Sequence, residues 1–306
     1  MTQNATNFIT ATTFETLTGN KCLIDTFDRN FEFSVEHVAL AKQADLVLLA
    51  PATANVIGKI ANGIADDMLT TTVMACTCKV LVAPAMNHNM YHNSIVQENL
   101  EKLKRHGYEM IDPVCGMLAN GDTGDGKLPS EETLVEYVLR ELAFEKDMQG
   151  LKVLVTAGPT QEAIDPVRFI SNYSTGKMGY AIAKNAMLRG AEVTLVTGRT
   201  ALEPPMFVKT VPVTSAKDMY QAVMECAKEQ DIIVKAAAVA DYTPAHTADE
   251  KIKKSEGELS LALEKTTDIL AELGKNKGNT VLCGFSMEQS ICWKIPGQNA
   301  KRKILI

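Results

Sequence analysis

The chain has 306 residues, of which 46% are hydrophobic and 22% charged, and its formal net charge is −6. The length suggests about two domains, and the composition excludes a disordered chain, a fibre and a small disulfide-rich scaffold. No apolar run approaches the ~18 residues of a membrane span. The acidic balance gives no electrostatic reason to expect nucleic acid. We therefore expect neither a membrane nor a nucleic-acid partner.

The cysteines indicate a reducing compartment. Their number is odd, they are scattered along the chain, and no basic and apolar secretory signal follows Met1. This pattern predicts free thiols in a cytoplasmic protein. Cys76 and Cys78 lack a second Cys/His pair at ligand spacing, so we expect no zinc site there. The seven cysteines are Cys22, Cys76, Cys78, Cys115, Cys226, Cys283 and Cys292.

Continuous apolar runs alternate along the chain with helical patterns. The runs predict buried strands at 45–50, 79–83, 151–157, 192–197, 232–238 and 280–285. The helical patterns lie near 54–68, 131–146, 176–189, 216–229 and 267–275. This alternation predicts βαβ units, and hence an α/β chain of two doubly wound, Rossmann-like three-layer domains.

A domain boundary is expected near residues 147–150, where a charged helical pattern gives way to a new strand. The predicted domains are therefore 1–148 and 149–306. The last stretch, 289–306, holds the single tryptophan and has no clear periodicity.

Polar loops follow two neighbouring predicted strands of the first half, at 51–63 and 84–90. Because the carboxyl ends of parallel strands meet at one edge of a sheet, these loops are expected to line a common crevice. The residues 44–55, 63–69 and 84–87 resemble the flavoprotein decarboxylase family, and 116–128 resembles its glycine-rich substrate clamp. That family uses FMN to remove the carboxylate of 4′-phosphopantothenoylcysteine.

The resemblance implies roles for individual residues. His37 matches the family's catalytic histidine, which exchanges protons while FMN oxidises the substrate thiol to a thioaldehyde and later returns the electrons. Asn87 matches the residue that holds the substrate carboxylate. The positions that match the flavin contacts are Pro51, Ala52, Thr53, Ala54, Asn55 and Met86.

The first half departs from the family pattern at two places. Asn120 stands where many members have the cysteine that protonates the enethiolate, and an amide is no such acid. From the resemblance, the family's first strand and its phosphate-binding loop, about 30 residues, are expected to be missing from this sequence. FMN binding is expected to be weak without them.

A long loop at 158–179 links a strand to a helix in the second half. It is neither a Walker A loop nor a dinucleotide fingerprint, and a loop of this length indicates function. Together with 236–242, 251–254 and 284–288, it resembles the phosphopantothenate–cysteine ligase family. Fusion of the two families on one chain is the usual bacterial arrangement.

This second resemblance implies CTP-dependent amide formation with Mg²⁺. The carboxylate of 4′-phosphopantothenate attacks the α-phosphate of CTP, and cysteine then displaces CMP from the acyl-cytidylate. Asn172 matches the residue that handles that intermediate, and Lys251 matches the lysine that neutralises phosphate charge. Composition alone would make Lys251 part of a solvated run. Ala237, Asp241 and Phe285 match nucleotide contacts.

The ligase family continues well beyond Phe285, so the second domain is also expected to be incomplete. A one-base shift of codons compatible with 292–300 yields an amphipathic helical sequence that resembles the family's continuation. We therefore hypothesise a changed reading frame after about residue 288.

Three functional interpretations remain open at this point. The first is a bifunctional coenzyme A biosynthesis enzyme that forms homo-oligomers and acts on small molecules. The second is an inactive fragment of that enzyme which acts at most as an assembly subunit. The third is a generic flavin- or nucleotide-binding oxidoreductase, which the missing dinucleotide fingerprint disfavours.

Overall fold

The structure is a computed structural model that describes residues 1–27, 36–117, 121, 123–254, 259–276, 278–285 and the backbone of 303–305. By its internal contacts the chain divides into two compact units, Met1–Leu142 and Ala143–Ile306. None of the described helices has the length and apolar character needed to cross a bilayer.

The first unit begins with a short 3₁₀ helix, Gln3–Asn7. Its remaining elements are α1 (Ala11–Thr18), α2 (Glu36–Gln43), β1 (Leu46–Ala52), α3 (Ala54–Ala61), α4 (Met68–Ala75), β2 (Lys79–Pro84), α5 (His88–Tyr91), α6 (Ser94–Arg105), β3 (Glu109–Met110), β4 (Val114–Met117), β5 (Thr123–Lys127) and α7 (Glu131–Leu142).

A parallel sheet in the order β1-β2-β3 forms the centre of the first unit, and β4 and β5 form a separate antiparallel hairpin. Successive residues of β2 point to opposite faces of the sheet. Val80 and Val82 pack into a cluster with α3 and α6, while Leu81 and Ala83 pack with Leu134 of α7. The strand is therefore covered on both faces, which is why its sequence is continuously apolar.

The helix predicted near 54–68 is too long, because α3 ends at Ala61 and the next helix, α4, begins only at Met68. α3 ends at Ala61, and Gly63 follows with a φ of +71°, a conformation that glycine adopts at little cost. Asp67 then starts α4 with a capping box, accepting a hydrogen bond from the Thr70 amide at 2.9 Å. The ammonium of Lys59 lies 2.9 Å from the same carboxylate.

The second unit contains ten described strands and three α-helices, together with a 3₁₀ turn at Ala227–Glu229. They are β6 (Lys152–Ala157), β7 (Gln161–Ala163), β8 (Phe169–Ser171), α8 (Lys177–Leu188), β9 (Glu192–Thr197), β10 (Lys209–Pro212), α9 (Ala216–Cys226), β11 (Ile232–Lys235), β12 (Tyr242–Pro244), β13 (Leu263–Lys265), α10 (Ile269–Asn276), β14 (Val281–Gly284) and β15 (Lys303–Leu305).

Six parallel strands form the sheet of the second unit in the order β10-β9-β6-β11-β14-β15. Counted along the chain this is the order 3-2-1-4-5-6, which confirms the predicted doubly wound fold. Val153 and Val155 pack into a cluster with α8 on one face. Leu154 packs on the other face with Met219 of α9 and Leu273 of α10. The order reverses between β6 and β11, where such sheets bind ligands.

Several predicted elements extend beyond the ends observed in the structure, and several observed elements were not predicted. The strand predicted at 232–238 ends at Lys235, because the Ala236 and Ala237 amides turn to Thr156 of the neighbouring strand. The helix predicted at 131–146 ends at Leu142. The elements without a prediction include α6 and the two-stranded pairs β4–β5, β7–β8 and β12–β13. Most of the stretch 289–306 lies outside the described residues.

Gly179 lets α8 lie directly on the end of β6. A Cβ at this position would lie 2.5 Å from the Cβ of Ala157 and 2.9 Å from the carbonyl oxygen of Thr156. We expect Gly179→Ala to force the helix away and to destabilise the second unit by about 1–3 kcal/mol, the usual cost of overpacking. Urea unfolding followed by circular dichroism measures this loss.

Gly274→Ala is the matched control. Gly274 lies in α10, and no described heavy atom outside its own helix is within 4 Å of an added Cβ. Alanine there is expected to be neutral or to stabilise the chain by up to about 1 kcal/mol. Equal unfolding midpoints for the two variants would contradict the close approach.

Candidate active sites at the carboxyl ends of two parallel sheets

The first site is built by the residues at the ends of β1 and β2. Pro51 and Ala52 end β1, and Thr53 is the N-cap of α3. Ala52 is fully buried, whereas Pro51, Thr53 and Asn55 are exposed. The Ala85 amide donates to the carbonyl of Ala52 at 3.0 Å. The two loops predicted to share a crevice are therefore adjacent.

The β4–β5 hairpin, which corresponds to the predicted clamp, lies against the second of these loops. The Met86 amide donates to the carbonyl of Gly126 at 3.0 Å, and Gly126 has a φ of +125°. A side chain at Gly126 would overlap the carbonyl oxygen of Met86. Asn87 begins α5 as its N-cap, and its side-chain oxygen accepts from the Asn89 amide at 2.9 Å. The backbone thus fixes the root of the clamp beside Asn87.

The other two predicted residues of this site are less well defined. His37 lies half-buried in the first turn of α2, directly after the stretch 28–35, which lies outside the described residues. Within the described part of the chain, no hydrogen bond joins His37 to the two loops. Asn120 itself lies outside the described residues, so its role stays a prediction.

These residues fit the ring system of a flavin. Small side chains at 51–55 leave backbone groups accessible, and the exposed Thr53 and Asn55 offer hydrogen-bonding groups beside them. Met86 is half-buried and packs against the core of the unit next to this loop. A flat heteroaromatic ring can lie against such a surface, so Pro51, Ala52, Thr53, Ala54, Asn55 and Met86 would hold it.

The second site lies where the strand order of the six-stranded sheet reverses. Gly158 follows β6 with a φ of +72°, and Gly176 is the N-cap of α8 with a φ of +77°. A Cβ on Gly176 would lie 3.3 Å from the Cα of Gly158. The two ends of the long loop 158–179 therefore meet at the carboxyl end of β6, beside the amide groups that begin a helix.

Asn172 lies beside the segment that leaves β11. Its side-chain amide donates to the carbonyl of Ala238 at 3.2 Å, and the Thr160 amide donates to the same carbonyl at 3.2 Å. The Ala240 amide in turn donates to the hydroxyl of the buried Thr160 at 3.0 Å. The loops after β6 and β11 are thus joined, with the exposed Asn172 on their outer side.

The predicted nucleotide contacts follow β11 and β14. The Ala237 amide donates to the Thr156 hydroxyl at 3.1 Å, and Asp241 lies exposed just before β12. Phe285 follows β14, and its amide donates to the carbonyl of Lys235 at 3.4 Å. Phe285 is partly exposed. The structure therefore places Ala237, Asp241 and Phe285 after neighbouring strands on the carboxyl edge that carries Asn172.

Lys251 is positioned by two residues that the sequence analysis missed. Asp165 is buried, and its carboxylate accepts from the Ile252 amide at 3.1 Å and from the Arg168 guanidinium at 3.0 Å. Arg168 also donates to the carbonyl of Ile252 at 3.0 Å. Burial opposes ionisation of Asp165, but amide donors including those of residues 167, 168 and 252 outweigh it and lower its pKa. The exposed Lys251 is thereby tied to the long loop.

Lys235 is a third residue that the sequence analysis missed, since in the sequence it is the polar end of an apolar strand. It pairs in register with Thr156 on one side and Gly284 on the other. Its Nζ atom is buried and has no hydrogen-bond partner among the described residues. Burial lowers the pKa of Lys235 to about 8, although the carboxylate of Asp268 acts in the opposite direction.

Comparisons with known proteins assign a family to each half of the chain. The family described as "Flavoprotein" matches residues 1–143, and the family described as "DNA/pantothenate metabolism flavoprotein C-terminal domain" matches residues 148–305. The coenzyme A biosynthesis bifunctional protein of Bacillus subtilis (strain 168) is 46% identical over 291 residues, which cover 94% of this chain and 72% of that protein.

The chain belongs to the family of coenzyme A biosynthesis bifunctional proteins.

Two further relatives are similar to this chain over most of its length. The family member from Borreliella burgdorferi (strain ATCC 35210 / DSM 4680 / CIP 102532 / B31) is 42% identical over 306 residues, or 99% of this chain and 77% of that protein. A cysteine/cysteine sulfinic acid decarboxylase from an unknown prokaryotic organism is 46% identical over 286 residues, which cover 92% of this chain and 80% of that protein. Membership confirms the predicted family, its bifunctional enzyme class and its flavin cofactor.

The pH dependence of stability tests the buried Lys235. Because its pKa is lowered on folding, the unfolded chain binds the proton more tightly, and stability rises as the pH increases from about 8 towards the ordinary value of 10.5. Over that window the gain reaches about 3 kcal/mol. Lys235→Met is expected to stabilise the chain at pH 7 and to remove the rise in urea midpoint. Lys209→Met, at an exposed position of β10, is the control and is expected to show the same rise in urea midpoint with pH as the parent chain.

Amide hydrogen exchange of Ile252 tests the anchor of the lysine segment, residues 251–254. Asp165→Ala removes the acceptor of this amide, so its protection is expected to fall at least about tenfold. In the parent chain the pKa of Asp165 is lowered, so protection is present above the ordinary carboxyl pKa and is lost only as the pH falls through the lower folded value. Asp249→Ala, an exposed carboxylate on the same segment, is the control. Unchanged protection in Asp165→Ala would show that the anchor lies elsewhere.

Proposed function

We propose that this chain joins 4′-phosphopantothenate to cysteine at the site of the second unit, using CTP and Mg²⁺. It then decarboxylates the 4′-phosphopantothenoylcysteine to 4′-phosphopantetheine at the FMN site of the first unit. The observation that carries the proposal is the presence of both site frameworks and both family matches on one chain. These activities correspond to the coenzyme A biosynthesis that names the relatives.

In the ligation, the residues around β6, β11 and β14 hold the nucleotide. Lys251 compensates phosphate charge as a point charge on a flexible stem, with Mg²⁺ beside it. The carboxylate of 4′-phosphopantothenate attacks the α-phosphate and releases pyrophosphate. Asn172 lies at the junction of the two loops, where its amide can orient the acyl-cytidylate. The cysteine amine then displaces CMP.

In the decarboxylation, FMN supplies oxidation of the substrate thiol and the later return of the electrons. His37 exchanges protons with the substrate as a general acid–base group. Asn87 holds the substrate carboxylate by hydrogen bonds from its side chain. The clamp hairpin, rooted at Met86 through Gly126, covers the substrate and excludes water.

The proposal also covers the partners of the enzyme, its cellular compartment and its oligomeric state. The family membership supports small-molecule substrates, and the free thiols described at Cys22, Cys76, Cys78, Cys115, Cys226 and Cys283 suit a cytoplasmic protein. Large apolar side chains such as Phe8, Leu17 and Ile95 are exposed on the first unit, and a homo-oligomer would cover such groups.

A coupled assay with matched variants tests both activities. The purified chain is incubated with FMN, 4′-phosphopantothenate, cysteine, Mg²⁺ and CTP, and the products are followed by mass spectrometry. His37→Gln is expected to accumulate 4′-phosphopantothenoylcysteine and to slow decarboxylation by about 10²–10⁴-fold, the range of a general acid–base group. Lys251→Gln is expected to slow ligation by about 10²-fold or more. His106→Gln and Lys217→Gln, both at exposed positions, should match the parent.

Other outcomes would select other functions. Release of CO₂ from free cysteine, with none from 4′-phosphopantothenoylcysteine, would assign the activity that names the third relative. Failure to form any product, alongside an active family member, would support the inactive assembly subunit. Bound NAD(P) in the purified chain would favour the oxidoreductase.

A further inference from the structure

Two histidines lie together immediately after Asn87 in the first unit. His88 is the first residue of α5 and His92 is its C-cap. Their ring centroids are 4.5 Å apart and the rings are tilted by 60°. Side chains four residues apart lie on the same side of a helical turn, which brings the two imidazoles side by side.

A carboxylate from the clamp hairpin completes the group. Asp125 lies on β5, and its Oδ2 atom is 3.1 Å from Nε2 of His92. One ligand atom from each of His88, His92 and Asp125 can be chosen so that all three lie within 4.8 Å of one another. The three side chains come from two elements that the backbone already holds together, through the bond between Met86 and Gly126.

The His88 ring is also held in place without a hydrogen bond. A Cβ on Gly124 would lie 2.9 Å from Cγ and from Nδ1 of this ring, so the imidazole packs on the bare backbone of β5. Nδ1 of His88 is buried and has no hydrogen-bond partner among the described residues. A buried polar atom without a partner is uncommon and often marks an ion or a water that completes the group.

We propose that His88, His92 and Asp125 bind a divalent transition-metal ion, with Zn²⁺ favoured. Two imidazoles and a carboxylate are ligands that suit Zn²⁺ and disfavour Mg²⁺ and Ca²⁺, which prefer oxygen. Ligand atoms around a tetrahedral ion with bonds of about 2 Å are just over 3 Å apart, so closure needs only side-chain adjustment. Three protein ligands leave a fourth position for water.

Such an ion would be coordinated by side chains from both α5 and β5, and it would therefore stabilise the root of the clamp. Its position differs from the flavin and substrate residues, because it uses neither Asn87 nor the loop at 51–55. The inference therefore does not depend on the proposed function. An ion that binds the folded chain alone also raises its melting temperature, by linkage.

Calorimetric titration of the purified full chain with Zn²⁺ tests the site. We expect one Zn²⁺ per chain and a rise in melting temperature. His92→Ala and Asp125→Asn change side chains that are about half exposed, so both variants should fold. Because loss of an outer-shell partner already weakens metal binding by about 10–100-fold, loss of a ligand should weaken it at least about 100-fold. His106→Gln, at an exposed histidine elsewhere in the unit, should bind like the parent.

Co²⁺ provides a second, spectroscopic readout. Tetrahedral Co²⁺ with nitrogen and oxygen ligands gives visible d–d bands, whereas thiolate ligands add strong near-ultraviolet charge-transfer bands. Absence of Zn²⁺ binding by the folded parent would overturn the proposal. Equal affinity of parent, His92→Ala and Asp125→Asn would do the same, as would thiolate bands that assign the ion to Cys76 and Cys78.

Discussion

Burial of both faces of the parallel strands is the constraint on which the rest of this structure depends. In β6, Leu154 faces α9 and α10, while Val153 and Val155 face α8, so the strand has no position for an uncompensated polar group. Polar chemistry is therefore displaced to the residues beyond the carboxyl ends of the strands. Both units place their polar residues beyond the strand ends in this way, which explains why both candidate sites lie at the carboxyl edge of a sheet.

The loops at these edges are joined to one another by hydrogen bonds that involve backbone groups, in addition to the short hairpins that some of them contain. Thr160 and Ala238 join the loops after β6 and β11, and Asp165 joins the long loop to the lysine segment through Ile252. In the first unit, the bond from Met86 to Gly126 performs the same task for the clamp. Buried amide and carbonyl groups need partners, and satisfying them gives the site side chains a fixed framework.

Sequence patterns located the main strands because their signal is local. The predicted strands at 79–83 and 192–197 differ from β2 and β9 by at most one residue, since a continuous apolar run of that length is the strand itself. The helix predicted near 54–68 failed because its break depends on the conformation of Gly63 and on the capping box of Asp67. The β4–β5 hairpin was missed because its glycine-rich strands carry no apolar alternation.

The sequence by itself determined the family and the α/β class, and it predicted site positions at 51–55, 86–87, 172 and 251, because all of these are carried by contiguous motifs. Only the tertiary structure decided that Asp165 and Arg168 hold the lysine segment, and that Lys235 is buried beside the reversal of the strand order. It alone brought His88, His92 and Asp125 together. The physical reason is that these relations join residues far apart in the chain, and their distances and burial arise only when the loops pack.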